Sequence, residues 1–395
     1  MIKEAIAAQK ESWRFTPGEA LTGPVFAPAG MPASQPPLGG RVLCPVGFHR
    51  AALVNGRWES KHALLKLPAG VSVESLSDAG DLKTLLDAPV PSDLPLAALA
   101  VEKAKDGIVV RVGRHVRVDQ PLHLIHLAES SGKTAEAAHA RVLIVLESGA
   151  SAEIVEEYAS FGEAPFWSNL RTQIVLAEGA ALKYYRVIRQ GTQGRLTNAI
   201  ELELGSRARC ESHVFNLSGL FAREDIRARM AGEGAEAHFN GLALLSGSEF
   251  ADHHTIVEHA AVGGLTRELY KAVLDDKSRF VFDGLIHVKP GAQKTDAQVY
   301  NKNLLLSEDA RVNTNPEFKI LADDVSCKHG GAVGQMSQEA LFYLRSRGVG
   351  ADDARRLLVY AFGSEMVERV GLEPLRAVLP DALHGRTPAA AEAKS

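Results

Sequence analysis

The stretches Ser148-Gly149-Ala150-Ser151-Ala152 and Glu178-Gly179-Ala180-Ala181-Leu182 share one pattern, in which a turn precedes a small residue and then an alternating strand. Successive copies lie 30, 26, 29, 43 and 32 positions apart. The interval of 43 residues indicates an insertion or an unrecognised turn. A period of about 20–50 residues built from strands is typical of a β-solenoid or β-helix. A β-sandwich, the alternative, would place turns about every 8–12 residues. The later copies are Leu204–Ala208, Glu233–Ala237, Asp276–Phe280 and Glu308–Val312.

The sequence divides into three regions around this repeat. Residues 1–106 are mixed, with a short helix expected over 5–15 and a Pro/Gly-rich linker. Short apolar segments separated by turns fill residues 107–335 and predict the β-helix core. Residues 336–395 predict a small helical domain with a frayed tail: Ser337 is a suitable N-cap, Gly363 is expected to end a helix over 351–362, and a third short helix is expected over 365–370.

Composition excludes several classes of protein. The chain has 44 Lys and Arg against 48 Asp and Glu, a net charge of −4, which argues against nucleic-acid binding and against a polybasic membrane anchor. Its three cysteines, Cys44, Cys210 and Cys327, are too dispersed for a disulfide framework or a zinc ribbon. Prolines interrupt the long uncharged stretch 23–40, and no signal sequence is evident, so we expect a cytoplasmic protein.

Several candidate sites are weak on the residues alone. Ser131-Gly132-Lys133-Thr134 resembles the end of a phosphate-binding loop, but Leu127 stands where that loop needs glycine, so this chain is expected to bind no ATP. Three histidines, His253, His254 and His259, would form either a metal-binding face or a hydrogen-bonded surface. Asp323 and Asp324 allow a carbohydrate-processing solenoid enzyme, although adjacent strand residues point to opposite faces.

The segment Cys327-Lys328-His329 is a sharper candidate. Residues two apart on a strand point to the same side, which places the thiol and the imidazole about 6–7 Å apart at their Cα atoms. Both groups bind iron or zinc, and Lys328 would favour the thiolate. Two ligands complete no site, so a functional pair would supply half of a site shared across an interface. A buried thiol beside an ordinary histidine is the alternative.

A set of motifs running in order through the second half of the chain resembles the SufB/SufD family of iron–sulfur cluster assembly proteins. Their order and spacing over about 100 residues make the resemblance specific. It is dense from about 250 to 365 and almost absent from the N-terminal third. The motifs are Thr266–Lys271, Phe282–Gly284, Lys289–Ala297, Asn303–Ser307, Asn313–Pro316, Ala322–Val325 with Cys327 and His329-Gly330, and Glu339–Gly348.

The resemblance implies a right-handed parallel β-helix with C-terminal helices, in a subunit that has no catalytic turnover. In this family SufB and SufD pair through their β-helices, and C-terminal helices hold the ATPase SufC. Clusters assemble near the SufB–SufD interface, where a SufD histidine takes part, and His329 falls at that position. An iron–sulfur cluster or iron is therefore expected transiently at an interface with SufB, with His329 and, ranked second, Cys327 as metal ligands.

Within the family, the short, cysteine-poor chain resembles SufD more than SufB. A short SufB homologue acting as the main scaffold is the alternative, and isolated chains are open to forming a homodimer. Leu357, Tyr360 and Phe362, on the helix over 351–362, are the predicted SufC-binding residues. After His259 the chain reads Ala260-Ala261-Val262-Gly263-Gly264, without the proline and histidine usual in the family, so the role of His253, His254 and His259 stays open.

Overall fold

The computed structural model describes residues 2–32, 38, 42–43, 48–130 and 132–386, the last three as backbone only. Cys44 and Ser131 lie outside the described residues. The helices are α1 (Ile2–Ala8), α2 (Glu19–Thr22), α3 (Lys83–Leu86), α4 (Pro95–Lys103), α5 (Gln338–Ser346), α6 (Ala351–Glu368) and α7 (Glu373–Arg386), with 3₁₀ turns at Ser60–His62, Leu76–Asp78 and Gly80–Leu82. No helix in these ranges is long and apolar enough to cross a bilayer.

Strands make up most of the molecule. They are β1 (Ala27–Pro28), β2 (His49–Val54), β3 (Arg57–Trp58), β4 (Val71–Ser75), β5 (Asp106–Val112), β6 (Leu122–Glu129), β7 (Glu136–Leu146), β8 (Ser151–Phe161), β9 (Phe166–Leu176), β10 (Ala181–Arg189), β11 (Gly194–Leu204), β12 (Arg209–Ser218), β13 (Phe221–Met230), β14 (Glu236–Leu245), β15 (Phe250–His259), β16 (Leu265–Leu274), β17 (Arg279–Val288), β18 (Thr295–Leu305), β19 (Arg311–Ile320) and β20 (Val325–Gln335).

These strands form two long sheets that face each other. One sheet runs β4-β5-β7-β9-β11-β13-β15-β17-β19, and the other runs β3-β2-β6-β8-β10-β12-β14-β16-β18-β20. From β5 to β20 every pairing within a sheet is parallel and joins one coil to the next, as in Ser151↔Ala181↔Arg209. The structure therefore confirms the predicted parallel β-helix, and the β-sandwich alternative is wrong. The parallel strand β2, at residues 49–54, extends the second sheet into the N-terminal region.

The repeated turns explain both the period and its irregular interval. Gly149 and Gly179 have φ of +68° and +67°, a left-handed conformation that glycine adopts without steric cost. Each donates its N–H to a carbonyl of the next coil, Glu178 for Gly149 at 2.9 Å and Ser206 for Gly179 at 2.9 Å. Arg207, Gly234 and Gly263 continue this column. The turn at Gly263 is the copy that the pattern missed, whereas Asp276 belongs to the turns on the opposite side of the coil.

The core of the β-helix lies between the two sheets. Alternate residues point inward, and the predicted inward positions Val142, Ile144 and Leu146 are all 0% exposed. The outer faces are covered separately. The N-terminal segment packs Trp13 and Leu21 over the sheet of β5 to β19, hereafter the odd-numbered sheet. Helices α6 and α7 pack Met366 and Leu375 over the sheet of β6 to β20, hereafter the even-numbered sheet.

The helical ends differ from the sequence prediction. Helix α6 does not stop at Gly363 but continues to Glu368, and α7 begins at Glu373, so the third helix expected over 365–370 is part of α6. Gly363 is buried inside α6, and a Cβ there would make only ordinary van der Waals contacts, at 3.5 Å, with the side chains of Leu242 and Leu383. At the N-terminus the expected helix over 5–15 is only α1, followed by turns.

A buried lysine ties the C-terminal helices to the β-helix. The Lys271 Nζ donates to the Phe362 carbonyl at 2.9 Å and lies 2.6 Å from the Glu365 Oε2. Because Met366, Leu375 and their neighbours share one apolar cluster with β10–β16, these helices cannot be removed without exposing the sheet. Surface substitutions are therefore a better test of partner binding by these helices than a truncation.

Candidate functional site

The C-terminal end of the β-helix is open. β19 and β20 are the last strands of their sheets, and neither has a further neighbour among the described strands. Most side chains on β20 are exposed, including the apolar Val333, and Ile320 and Leu321 are exposed where β19 ends. Long unpaired strand edges are templates for pairing with another chain. The open end therefore presents two unpaired strand edges with exposed apolar side chains beside them.

Cys327 and His329 lie together at this open end, as their spacing predicts. Cys327 pairs with Ala297 of the preceding coil and His329 with Val299, two residues of the buried inner core. Cys327 is half-buried against that core, whereas the His329 side chain is exposed. The His329 ring meets the Phe318 ring edge-on, with centroids 4.9 Å apart. The imidazole thus stands at the mouth of the space between the sheets.

The thiol of Cys327 is less suited to bind metal than its neighbour. Burial raises the pKa of the Cys327 thiol, which favours the neutral form at neutral pH. This direction is opposite to the thiolate stabilisation that we expected from Lys328. In the described part of the chain no three His, Cys, Asp or Glu side chains come together as a metal site. His329 is thus the more accessible donor of the pair.

The other sequence candidates are dispersed. His253 and His259 point inward and are buried, while His254 points outward with its Nε2 2.9 Å from the Asp252 Oδ1. His259 contacts the Thr266 hydroxyl at 2.9 Å, and burial lowers its pKa to about 4. His253 and His259 share the inner face but lie six residues apart on β15, and His254 is on the other face, so the three do not form one metal-binding group. The carboxylates of Asp323 and Asp324 are exposed on the turn before β20, and residues 132–134 form an exposed turn before β7.

Sequence reasoning missed a row of charged residues inside the β-helix. Arg186 and Glu224 face each other between the sheets, each 1% exposed, with Nε–Oε1 2.8 Å and Nη2–Oε2 3.2 Å. Arg186 also donates to the Ser212 hydroxyl at 2.7 Å. Burial alone would raise the pKa of Glu224, but the Arg186 guanidinium lowers it to about 2. The sequence carries one sign of this buried pair, which is a charged residue at an inward-facing position between apolar inward-facing residues of the same strand.

Glu268 is a second buried carboxyl, and no cationic side chain pairs with it among the described residues. It is 2% exposed and accepts a hydrogen bond from the Thr255 hydroxyl at 2.8 Å. Burial raises its pKa to about 7, which the Thr255 hydrogen bond only partly opposes. The carboxyl is therefore largely protonated below neutral pH and becomes a buried charge above it.

Glu268→Gln is expected to remove a loss of stability at alkaline pH. The folded pKa of Glu268 lies above its unfolded value, so its contribution falls as pH rises through the folded value of about 7. Relative to the wild type, the variant should gain on the order of 2 kcal/mol of unfolding free energy between pH 5 and pH 8. Urea unfolding at both values measures this. Exposed Glu163→Gln is the control, and parallel pH profiles for wild type and Glu268→Gln would contradict the prediction.

The predicted partner-binding residues are partly exposed. Leu357 on α6 is 46% exposed, whereas Tyr360 and Phe362 are half-buried against the sheet. Two aromatic residues of α5 are more accessible, Phe342 at 74% and Tyr343 at 58%. We missed these two because the periodicity of α6 alone guided the choice, although both lie within the Glu339–Gly348 motif. The three exposed apolar side chains of α5 and α6, Phe342, Tyr343 and Leu357, are hereafter called the helical patch.

Comparison with known proteins agrees with this architecture. Residues 126–362 match the family model described as SUF system FeS cluster assembly, SufBD core domain. The chain is 31% identical to the iron-sulfur cluster assembly protein SufD of Escherichia coli K12 over 95% of this chain and 88% of that protein. It is 27% identical to an iron-sulfur cluster assembly SufBD family protein of Synechocystis over 95% of this chain and 86% of that one.

A more distant relative bears on localisation. A chloroplastic protein of Arabidopsis thaliana is 28% identical over 67% of this chain and 57% of its own length. Relatives therefore occur in more than one compartment, and a cytoplasmic location stays a prediction. The family match, which covers more than half of the chain, and the identity to SufD agree with the parallel β-helix and the His329 motif at its open end. On these grounds the chain belongs to the SufB/SufD family of the SUF iron–sulfur cluster assembly system and is most similar to SufD.

Proposed function

We propose that this chain is the SufD-like scaffold subunit of a SUF assembly complex. It pairs with a SufB-like subunit through its open end and holds a SufC-like ATPase on its C-terminal helices. It has no catalytic turnover and binds no ATP itself. An iron–sulfur cluster, or iron, is the cargo that His329 contacts at the shared interface.

The observation that carries this proposal is the position of His329 on an unpaired edge. An exposed imidazole at the mouth of the open coil supplies one ligand, and a chain that pairs with β19 or β20 would bring its own ligands beside it. The raised pKa of Cys327 leaves it in a supporting role. This arrangement matches a site shared between two subunits.

The helical patch supports the second contact. Large exposed aromatic residues such as Phe342 and Tyr343 are typical anchors of protein interfaces. The patch lies on helices that cover the even-numbered sheet. A partner bound to the helical patch would therefore lie beside the β-helix, on the side of the even-numbered sheet.

The alternatives have less support. The exposed Asp323 and Asp324 offer no enclosed carboxylate pair for a carbohydrate-processing enzyme. A short SufB homologue would have to be the main scaffold, with its own activated cysteine, and the raised pKa of Cys327 does not favour that role.

His329→Ala tests the assignment of the site. We expect iron and sulfide bound by the complex, reconstituted with SufB-like and SufC-like subunits, to fall about tenfold because a ligand is lost. The substitution should cost about 1 kcal/mol or less, since the side chain is exposed. Lys328→Ala, on the same strand and facing the other way, is the control. Size-exclusion chromatography must show that both variants still assemble, and unchanged iron and sulfide in the His329→Ala complex would refute the role of His329.

A further inference from the structure

A groove on the outer face of the odd-numbered sheet is not used by the function described above. Its volume is about 480 Å³, and it lies between the N-terminal segment and strands β13, β15, β17 and β19. It reaches β19, the open edge of the sheet. Its wall on the N-terminal side includes Arg14 and Phe15.

The floor of the groove has an apolar column beside a polar column. In one column Ile256 pairs with Leu285 and Leu285 pairs with Glu317 on the edge strand. In the other, His254 pairs with Asp283 and Asp283 with Asn315. Aliphatic side chains thus run alongside carboxyl and amide groups toward the open edge.

The cationic side chains of the floor are already paired. The Arg227 Nη2 lies 2.6 Å from the Asp93 Oδ2, and His254 is held by Asp252. On the other wall, the Arg14 guanidinium lies over the ring of its neighbour Phe15, 5.1 Å from the centroid. The two cations of the floor are therefore paired with carboxylates outside the groove lining, and the Arg14 guanidinium is stacked on Phe15 in the wall.

The carboxyls Asp283 and Glu317 have no ion pair in the described structure. The contact of Asp283 is the Asn315 amide at 3.5 Å, and that amide also donates to the Glu317 Oε1 at 2.8 Å. Asp283 is only partly exposed, and burial raises its pKa, which the neighbouring His254 and the Asn315 hydrogen bond only partly oppose. An aliphatic strip that ends in two such carboxyls is complementary to an arginine side chain, which has an apolar stem and a guanidinium that binds carboxylates bidentately.

We propose that this groove takes an arginine side chain from the strand of the SufB-like subunit that pairs with β19. The inference rests on the proposed function, because it requires that pairing. A strand added to β19 would lie two strand spacings, about 10 Å, from β17, which carries Asp283. An arginine on the added strand, opposite Asn315 or Glu317 and pointing outward, can extend across β19. Its apolar stem then lies near Leu285 and its guanidinium reaches Asp283. The groove would then fix the register and select the partner.

The test is the affinity of the SufB-like subunit for Asp283→Asn/Glu317→Gln. We expect the dissociation constant to rise about tenfold at low salt and its salt dependence to weaken, because a charged contact is lost. Glu308→Gln/Asp309→Asn is the matched control, since it removes the same charge from an exposed turn at the same end, outside the groove. Melting temperatures of all three proteins report folding.

The outcomes separate the two proposals. Failure of the wild-type chain to bind the SufB-like subunit would overturn the proposed pairing and this inference with it. If the wild type binds the SufB-like subunit, and the groove variant and the control variant have the same dissociation constant, this inference alone is overturned. If only self-association of the chain weakens in the groove variant, the occupant is a second copy of this chain, and the assignment to SufB is wrong.

Discussion

Glu224→Ala is expected to lower the free energy of unfolding by about 3–5 kcal/mol, the cost of leaving one member of a buried ion pair without its partner. The Arg186 guanidinium would keep its hydrogen bond to Ser212 and its position over the Tyr184 ring, but it would lose the opposite charge. Both side chains are 1% exposed, so the guanidinium has no contact with bulk solvent that would compensate for the lost carboxylate. Urea unfolding at pH 7 measures the loss.

The double variant Arg186→Met/Glu224→Leu is the decisive control. It removes both charges and keeps apolar volume, so it should recover most of the lost stability. The pH dependence gives a second reading. The folded pKa of Glu224 is about 2, below its usual 4.5, so the pair stabilises the protein above pH 4.5, and this contribution is lost as pH falls toward 2. A double variant as unstable as Glu224→Ala would show that Arg186 and Glu224 are not coupled.

Phe342→Ala/Tyr343→Ala is expected to weaken binding of the SufC-like ATPase about 100-fold, the effect of losing two aromatic anchors that contribute about 1.4 kcal/mol each. Both side chains project from α5 into solvent, so their removal leaves the core intact. Circular dichroism and the melting temperature should match those of the wild type. A pull-down or calorimetric titration with the SufC-like subunit alone measures the effect.

Two further variants show whether the helical patch itself is responsible. Phe15→Ala removes an exposed aromatic residue from the N-terminal segment and should not change binding of the ATPase. Tyr360→Ala/Phe362→Ala alters half-buried residues, so any loss of binding must be judged against a lower melting temperature. Full affinity of the Phe342→Ala/Tyr343→Ala variant would place the ATPase elsewhere on the chain.

The β-helix was accessible to sequence reasoning because its period is local. Each coil repeats a turn in which a residue such as Gly149 adopts a left-handed conformation, and that requirement leaves a visible trace about every 30 residues. The reasoning failed where tertiary packing overrides local preference. Gly363 looks like a helix terminus, but α6 continues through it to Glu368, because Val359 before it and Met366 after it are both buried in the apolar cluster against the sheet.

The site was predicted only in part, for a related reason. Cys327 and His329 share a side because of strand geometry alone, which the sequence reveals. The ion pair of Arg186 with Glu224 joins residues 38 positions apart, and the groove at Asp283 depends on the N-terminal segment crossing the sheet. Such contacts leave no periodic signal.

The two ends of the β-helix have unequal capacity to extend. At one end the long parallel strands β19 and β20 are open, while the described strands at the other end finish in β3 and β4, which have two and five residues and run antiparallel to their neighbours. Two molecules joined through their long edges would present only these short strands outward. End-to-end association through the open coil should therefore stop at a pair instead of growing into a fibre.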